Sequence, residues 1–173
     1  MKLWTLQNRR LLNSWRDGKL SRVWDDSNPA WLSAYRWMAD QWSQRIGLAL
    51  DTAPFWCWHS CNGKLFSPPT VGTAAGLLGD YAHHRESTVV VELDVPQDLC
   101  LLSSYFVWNQ AVEDLWENNR PNIRTAEYEQ MFVSPLLKHD ADDIQGVIPY
   151  ILSNWVIEIR ELPKSDDDWD LAV

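Results

Sequence analysis

The chain has 173 residues, 46% of them hydrophobic and 23% charged, which is the size and balance of one globular domain and excludes a disordered or fibrous chain. Its net charge of −9 argues against nonspecific binding to DNA, RNA or anionic lipid, since such binding needs clustered Lys and Arg. No apolar run approaches the ~20 residues that cross a bilayer. Three cysteines and an opening that reaches Asn8-Arg9-Arg10 too soon for a cleavable leader point to a reducing, cytoplasmic setting.

Lys2 to Gln7 alternates polar and apolar residues and predicts a first strand. Asn8 to Asp17 carries spaced Leu and Trp and ends at Gly18, which predicts a helix with a glycine stop. Ser27-Asn28-Pro29 is a capping side chain ahead of a proline and starts a long helix. Along it Trp31, Tyr35, Met38 and Trp42 fall on one stripe, the pattern of a core-facing side, and Gly47 closes it.

Pro54 to Ser60 is rich in strand formers, and Asn62-Gly63 suits a tight hairpin turn. Ser67 to Gly79, with two prolines, three glycines and small residues, reads as a loop with at most a short helical turn. Thr88 to Val95 is a β-branched strand stopped by Pro96. Leu101-Leu102 extends the sheet, and Ser103 or Ser104 caps a helix running through Trp108, Val112, Leu115 and Trp116 to about Asn119. Thr125 to Leu137 reads as partly helical and Asp140 to Asp143 as an acidic loop. Gly146 to Tyr150 and Trp155 to Leu162 are two late strands joined by a bend at Leu152-Ser153-Asn154. Residues 1–163 therefore form one α+β domain, a mixed, mainly antiparallel sheet with two or three packed helices, and the acidic segment 164–173 is expected to be a disordered tail.

Twelve tryptophans are too many for all to lie inside so small a core, so some are expected to line a cleft or an interface. Cys57, His59 and Cys61 share one face of a strand, but the spacing lacks the turn and second ligand pair of common zinc sites, and no metal is expected. His83-His84 offers a candidate general base in a polar loop, where plain surface is the commoner reading. Glu92 and Asp94 point the same way on one strand, either to solvent or as an acid pair, with solvent favoured. Arg9-Arg10 and Arg36/Arg45 are most simply solvated helix faces. The glycine-rich phosphate loops and the nucleophile motifs of common hydrolases are absent.

Five pieces stand in order along the chain. They are Leu3-Trp4-Thr5-Leu6-Gln7, Tyr35-Arg36-Trp37-Met38 with Gln41 and Arg45-Ile46, and Pro54-Phe55-Trp56-Cys57-Trp58. Val91-Glu92-Leu93-Asp94-Val95-Pro96 follows with Leu101-Leu102-Ser103 and Trp108, and then Ile144-Gln145. Together these pieces resemble the domain of unknown function 3841 family, and the chain departs from that pattern after Asn62-Gly63 and between Asn119 and Asp143. The resemblance implies a small cytosolic bacterial or phage protein and no particular activity.

The layout is also similar to ADP-ribosyltransferase-like folds. That likeness implies an enzyme handling NAD or another nucleotide, with Thr5 and Gln145 as catalytic candidates. Gln7, Trp56 and Trp58, together with Tyr35 and Arg36 of the long helix, are its substrate-binding candidates. Gly18-Lys19-Leu20 would match the helix end of that pattern. An aromatic wall stacks nicotinamide and an amide fixes a ribose hydroxyl, but Gln145 carries no charge to steady an oxocarbenium ion, so Glu92 or Glu127 would have to stand nearby. The competing expectation is an acidic, Trp-rich binding protein of the immunity, antitoxin or phage-inhibitor type that covers a basic partner. The two expectations separate on shape: a concave aromatic pocket converging on Thr5, Gln7 and Gln145 for the first, a flat acidic Trp patch for the second.

Overall fold

The computed structural model describes residues 1–25, 28–61, 63–79, 81–117, 123–132 and 143–162. Ser27, Asn62, Asp80, Asn119, residues 133–142 with His139 and most of the expected acidic loop, and the tail 164–173 lie outside the described residues. The first half runs β1 (Lys2–Asn8), α1 (Arg9–Leu12), β2 (Lys19–Leu20), α2 (Pro29–Ile46), β3 (Phe55–Cys61), β4 (Lys64–Leu65), α3 (Val71–Leu78) and α4 (Tyr81–Arg85). The second runs β5 (Thr88–Asp94), β6 (Leu101–Ser104), α5 (Tyr105–Glu117), α6 (Thr125–Tyr128), β7 (Ile144–Ile148), β8 (Ile151–Leu152) and β9 (Val156–Glu161).

Six strands line up as β6-β7-β3-β1-β5-β9, β4 pairs with β3, and β2 pairs with β8 in a separate small ladder. The class is α+β, and each strand pair among the described residues is antiparallel. Strand alternation sorts side chains between two layers. Phe55, Cys57 and Ile148 enter a core with Leu3, Leu20 and Ile151, over which Leu11 and Leu12 of α1 also pack. Trp56 and Val147 face the other way, onto the layer built by Met38 and Trp42 of α2 and Trp108 and Val112 of α5.

The long helix forms for local reasons. Asn28 Oδ1 accepts from the Trp31 amide at 3.3 Å, Pro29 occupies the first turn, and Gly47 leaves the helix at φ +80°. Its stripe divides by depth: Met38 and Trp42 are buried, whereas Trp31 and Tyr35 are half-buried at one end. Trp42 also donates Nε1 to the Leu99 carbonyl at 3.1 Å. The cap of α5 is Ser104, whose Oγ accepts from the Val107 amide at 3.2 Å.

Several expectations are corrected. The helix expected over Asn8–Asp17 is only Arg9–Leu12, with Asn8 capping it, because the chain turns back through Gly18 to pair β2 with β8. Ser67–Gly79 is not mainly a loop. It holds the two-turn helix α3, capped by Thr70 Oγ1 on the Thr73 amide at 3.1 Å, with Ala74 buried against Trp4 and Val90. Residues 153–155 form a 3-10 turn between the two late strands.

Glu92 is corrected too. It is buried, not solvent-facing: Trp4 Nε1 donates to it at 3.1 Å, Lys2 Nζ at 2.8 Å and Arg160 Nη2 at 2.9 Å. Burial pushes its pKa up, but the hydrogen bonds from Lys2 and Trp4 and the charges of Lys2 and Arg160 outweigh that and hold it below the usual carboxylate range.

Candidate functional site

β1 and β3 are neighbours, yet among the described residues the register between them contains one pair, Trp4 with Trp58. Beyond that pair a side chain takes up the contact: Thr5 Oγ1 donates to the Trp56 carbonyl at 2.6 Å. Gln7 Nε2 in turn donates to Thr5 Oγ1 at 2.7 Å. This relay engages the Thr5 and Gln7 side chains and ties Gln7 to the β3 backbone.

A cleft of about 390 Å³ opens beside this relay. Its floor includes Gln7 from β1, Trp56 and Trp58 from β3 and Gln145 from β7, three strands that are successive in the sheet. Its walls come from helices: Tyr35 of α2, Tyr105 and Trp108 of α5, and Leu77 and Leu78 of α3. The aromatic rings touch one another. Trp56 lies 4.7 Å from Trp108 and 5.3 Å from Tyr35, and Trp58 meets Tyr105 edge-on at 4.7 Å. Such offset and tilted contacts hold rings in place and leave a rigid apolar wall.

The polar groups on this wall are few and incompletely satisfied. Trp56 Nε1 and Gln145 Nε2 are buried donors without a hydrogen-bond partner, although Gln145 itself is only 3% exposed. A buried, unmatched donor costs about 1–3 kcal/mol, and the two residues that carry these donors both line the cleft. Ser103 Oγ, also buried and unpartnered, belongs to the residue opposite Gln145 across β6 and β7. A row of strand partners thus crosses the sheet in the order Glu92, Trp4, Trp58, Gln145, Ser103.

The cation at the cleft is Arg22, placed there by a backbone bridge between Arg22 and Ala53. Its Nη1 donates to the Pro54 carbonyl at 3.3 Å. Burial lowers the Arg22 pKa, against the opposing influence of Tyr35 and Asp25. Burial likewise raises that of Tyr35, which Arg22 partly offsets.

Of the residues expected at a site, Gln7, Trp56, Trp58, Gln145 and Tyr35 are brought together. Thr5 lies behind Gln7 and acts on it by hydrogen bond. Arg36 is elsewhere: it is exposed and its guanidinium lies 5.2 Å over the Trp24 ring. One residue along a helix turns the side chain by about 100°, so Arg36 cannot share the face that carries Tyr35 into the cleft. Glu92 does not line the cleft and is held by its ion pairs, and Glu127 pairs with Arg124 at 3.0 Å. Arg22, Tyr105 and Trp108 were not expected there. Trp108 showed only the helical spacing of a core residue, and nothing local marks Arg22.

The other candidates carry no chemistry that the geometry supports. Cys57 is buried and its thiol is pushed well up by burial, with Cys100 adding to the shift, so it is no thiolate at neutral pH. Burial also lowers the pKa of His59, whose Nδ1 lies 2.7 Å from Ser60 Oγ. Among the described residues no three His, Cys, Asp or Glu side chains are grouped to hold a metal. His83 and His84 are exposed on α4. No helix among the described residues is long and apolar enough to cross a membrane.

No curated protein and no solved structure matches the chain. A family model described as a domain of unknown function, DUF3841, matches residues 2–161, which takes in β1 through β9 and every residue of the cleft. The chain therefore belongs to the domain of unknown function 3841 family.

Proposed function

We propose that the cleft binds the flat ring of a nucleotide, a nicotinamide or a nucleobase, by stacking on Trp56 and Trp58 and by hydrogen bonds from Trp56 Nε1 and Gln145 Nε2. The observation that carries this reading is the pair of unmatched buried donors on an aromatic wall. A ring bearing a carbonyl or a ring-nitrogen acceptor would satisfy them and recover the cost of leaving them unpaired. Thr5 serves this site by holding Gln7.

The reading is one of binding and orientation, on an ADP-ribosyltransferase-like plan. NAD fits the donors and the stacking wall. It does not fit a carboxylate-assisted transfer, because no Asp or Glu is among the described residues lining this cleft. The alternative, an acidic surface covering a basic protein, draws on the net charge of −9. It would use Trp116, which is exposed and meets Trp31 edge-on at 4.8 Å. The cleft is the stronger candidate because Trp56, Trp58 and Trp108 line a concavity rather than a flat patch.

Titration with nicotinamide riboside and with adenosine, followed by tryptophan emission and calorimetry, tests the reading. Saturable quenching that Trp56→Leu abolishes is expected. No heat and no quenching at millimolar ligand, where a site worth about −4 kcal/mol is half filled, would overturn it.

A further inference from the structure

We propose that the edge strand β9 is an interface between two copies of this chain, pairing antiparallel with β9 of a second copy about a two-fold axis at Ile159, so that the two sheets join into one. The proposal is independent of the cleft, whose floor strands β1, β3 and β7 lie on the far side of β5 from this edge.

Among the described residues β9 ends the sheet order and pairs on one side only, with β5. An edge strand presents a row of backbone N–H and C=O groups that can pair with another strand, and folds commonly blunt it with lysine, proline or a covering helix. β9 carries neither Lys nor Pro. Ile157, Glu158 and Ile159 are all exposed, the two isoleucines at 54% and 47%, so neither face of the strand is covered there. Ile159 stands opposite Val91, a core residue, and Ile157 lies two residues along on the same face. The isoleucines therefore prolong the core layer past its covered part. Single surface isoleucines are ordinary, but a pair continuous with the core on an open edge is what strand addition buries.

The charges select both the occupant and the register. In a two-fold antiparallel pair each residue meets one on the same face, so the axis passes through a residue of the strand. An axis at Glu158 sets that carboxylate against its own copy, and an axis at Arg160 does the same to the guanidinium; like charges directly opposite are destabilising. An axis at Ile157 sets Glu158 against Val156 and forms no charge pair. An axis at Ile159 lays Ile159 on Ile159 and places Glu158 opposite Arg160 twice, once on each side. Arg160 is held by Glu92 at 2.9 Å and lies 3.3 Å from Glu158 of its own strand, so the second carboxylate meets a positioned cation. The chain's own acidic stretch Asp166-Asp167-Asp168 suits this edge less well, because it would bring negative charge to Glu158 and Glu161.

Analytical ultracentrifugation of the full chain, from micromolar to about 0.5 mM, tests the proposal, since an interface of one short strand pair is expected to be weak. A concentration-dependent dimer is expected. Ile159→Lys should weaken it at least tenfold and Glu158→Lys at least threefold, with urea melts showing that both variants fold. Register is read by disulfide capture with oxidised glutathione. Directly opposed residues have Cα atoms roughly 4.5–5.5 Å apart, within disulfide reach, so Ile159→Cys should cross-link to a covalent dimer. The two copies of position 157 would lie four residues apart along the ladder, roughly 13 Å, so Ile157→Cys should not. Cys57, Cys61 and Cys100 are buried, and the parent under the same oxidant serves as the control. A parent that stays monomeric overturns the proposal and leaves the edge to another chain. A dimer that survives Ile159→Lys or Glu158→Lys unweakened, or that cross-links at 157 as readily as at 159, overturns it as well.

Discussion

Gln145 stands directly opposite Trp58 across the β3 and β7 ladder, so an amide and an indole that are 87 positions apart emerge side by side on the cleft face. Paired residues of an antiparallel ladder lie about 4.5–5.5 Å apart at Cβ, close enough for one ring to contact both.

Gln145→Leu separates binding from stability. The amide Nε2 is buried and unpaired, so an apolar side chain of similar size removes a desolvation cost of about 1–3 kcal/mol. Urea melts should show the variant as stable as the parent or more so, while base binding is lost. Destabilisation by more than about 1 kcal/mol would mean that the amide is satisfied within the fold.

Trp42→Ala should cost about 3–5 kcal/mol, because the indole is 1% exposed between α2 and the sheet and its removal leaves a cavity as well as an unanswered Leu99 carbonyl. A melt that coincides with the parent's would show that this stripe of α2 is not core.

Gly146→Ala tests a steric requirement rather than a torsional one. A Cβ there would sit 2.9 Å from Cys100 Sγ and 3.2 Å from Leu3 Cδ2. Overpacking of this kind costs about 1–3 kcal/mol. In a Cys100→Ala background the cost should shrink, and the two substitutions should couple by at least about 0.5 kcal/mol in a double-mutant cycle. Strict additivity would show that the clash is relieved elsewhere.

Glu92 should make stability depend on acid. Its folded pKa is depressed, so its contribution is fully present above the unfolded value of about 4.3 and is lost as pH falls through the lower folded value. Glu92→Gln should cost about 1–3 kcal/mol at pH 7 by weakening the contacts to Lys2 and Arg160. The difference between parent and variant should narrow at pH 3. An equal difference at both pH values would remove Glu92 as a source of the acid response.

The sequence by itself determined the elements whose causes are local. The α2 helix follows from Asn28, Pro29, the apolar stripe and Gly47, all within one stretch of chain, and β5 follows from its β-branched run. The strands that carry Gln7, Trp56, Trp58 and Gln145 were readable for the same reason, and with them most of the cleft floor. What only the tertiary structure decided depends on partners far along the chain. Glu92 looked solvent-facing because its reasons for burial, Trp4 and Arg160, are 88 and 68 positions away. The helix α3 read as a loop because Gly72 and Gly76 signal flexibility locally, whereas the burial of Ala74 against Trp4 and Val90 selects the helix. Arg22 carried no local mark, since its place follows from a bridge to Ala53 and from the way α2 and α5 enclose the gap beside β1 and β3. Periodicity and capping act over one or two turns, but the identity of a neighbouring strand, and so the company a side chain keeps, is fixed only when the sheet is assembled.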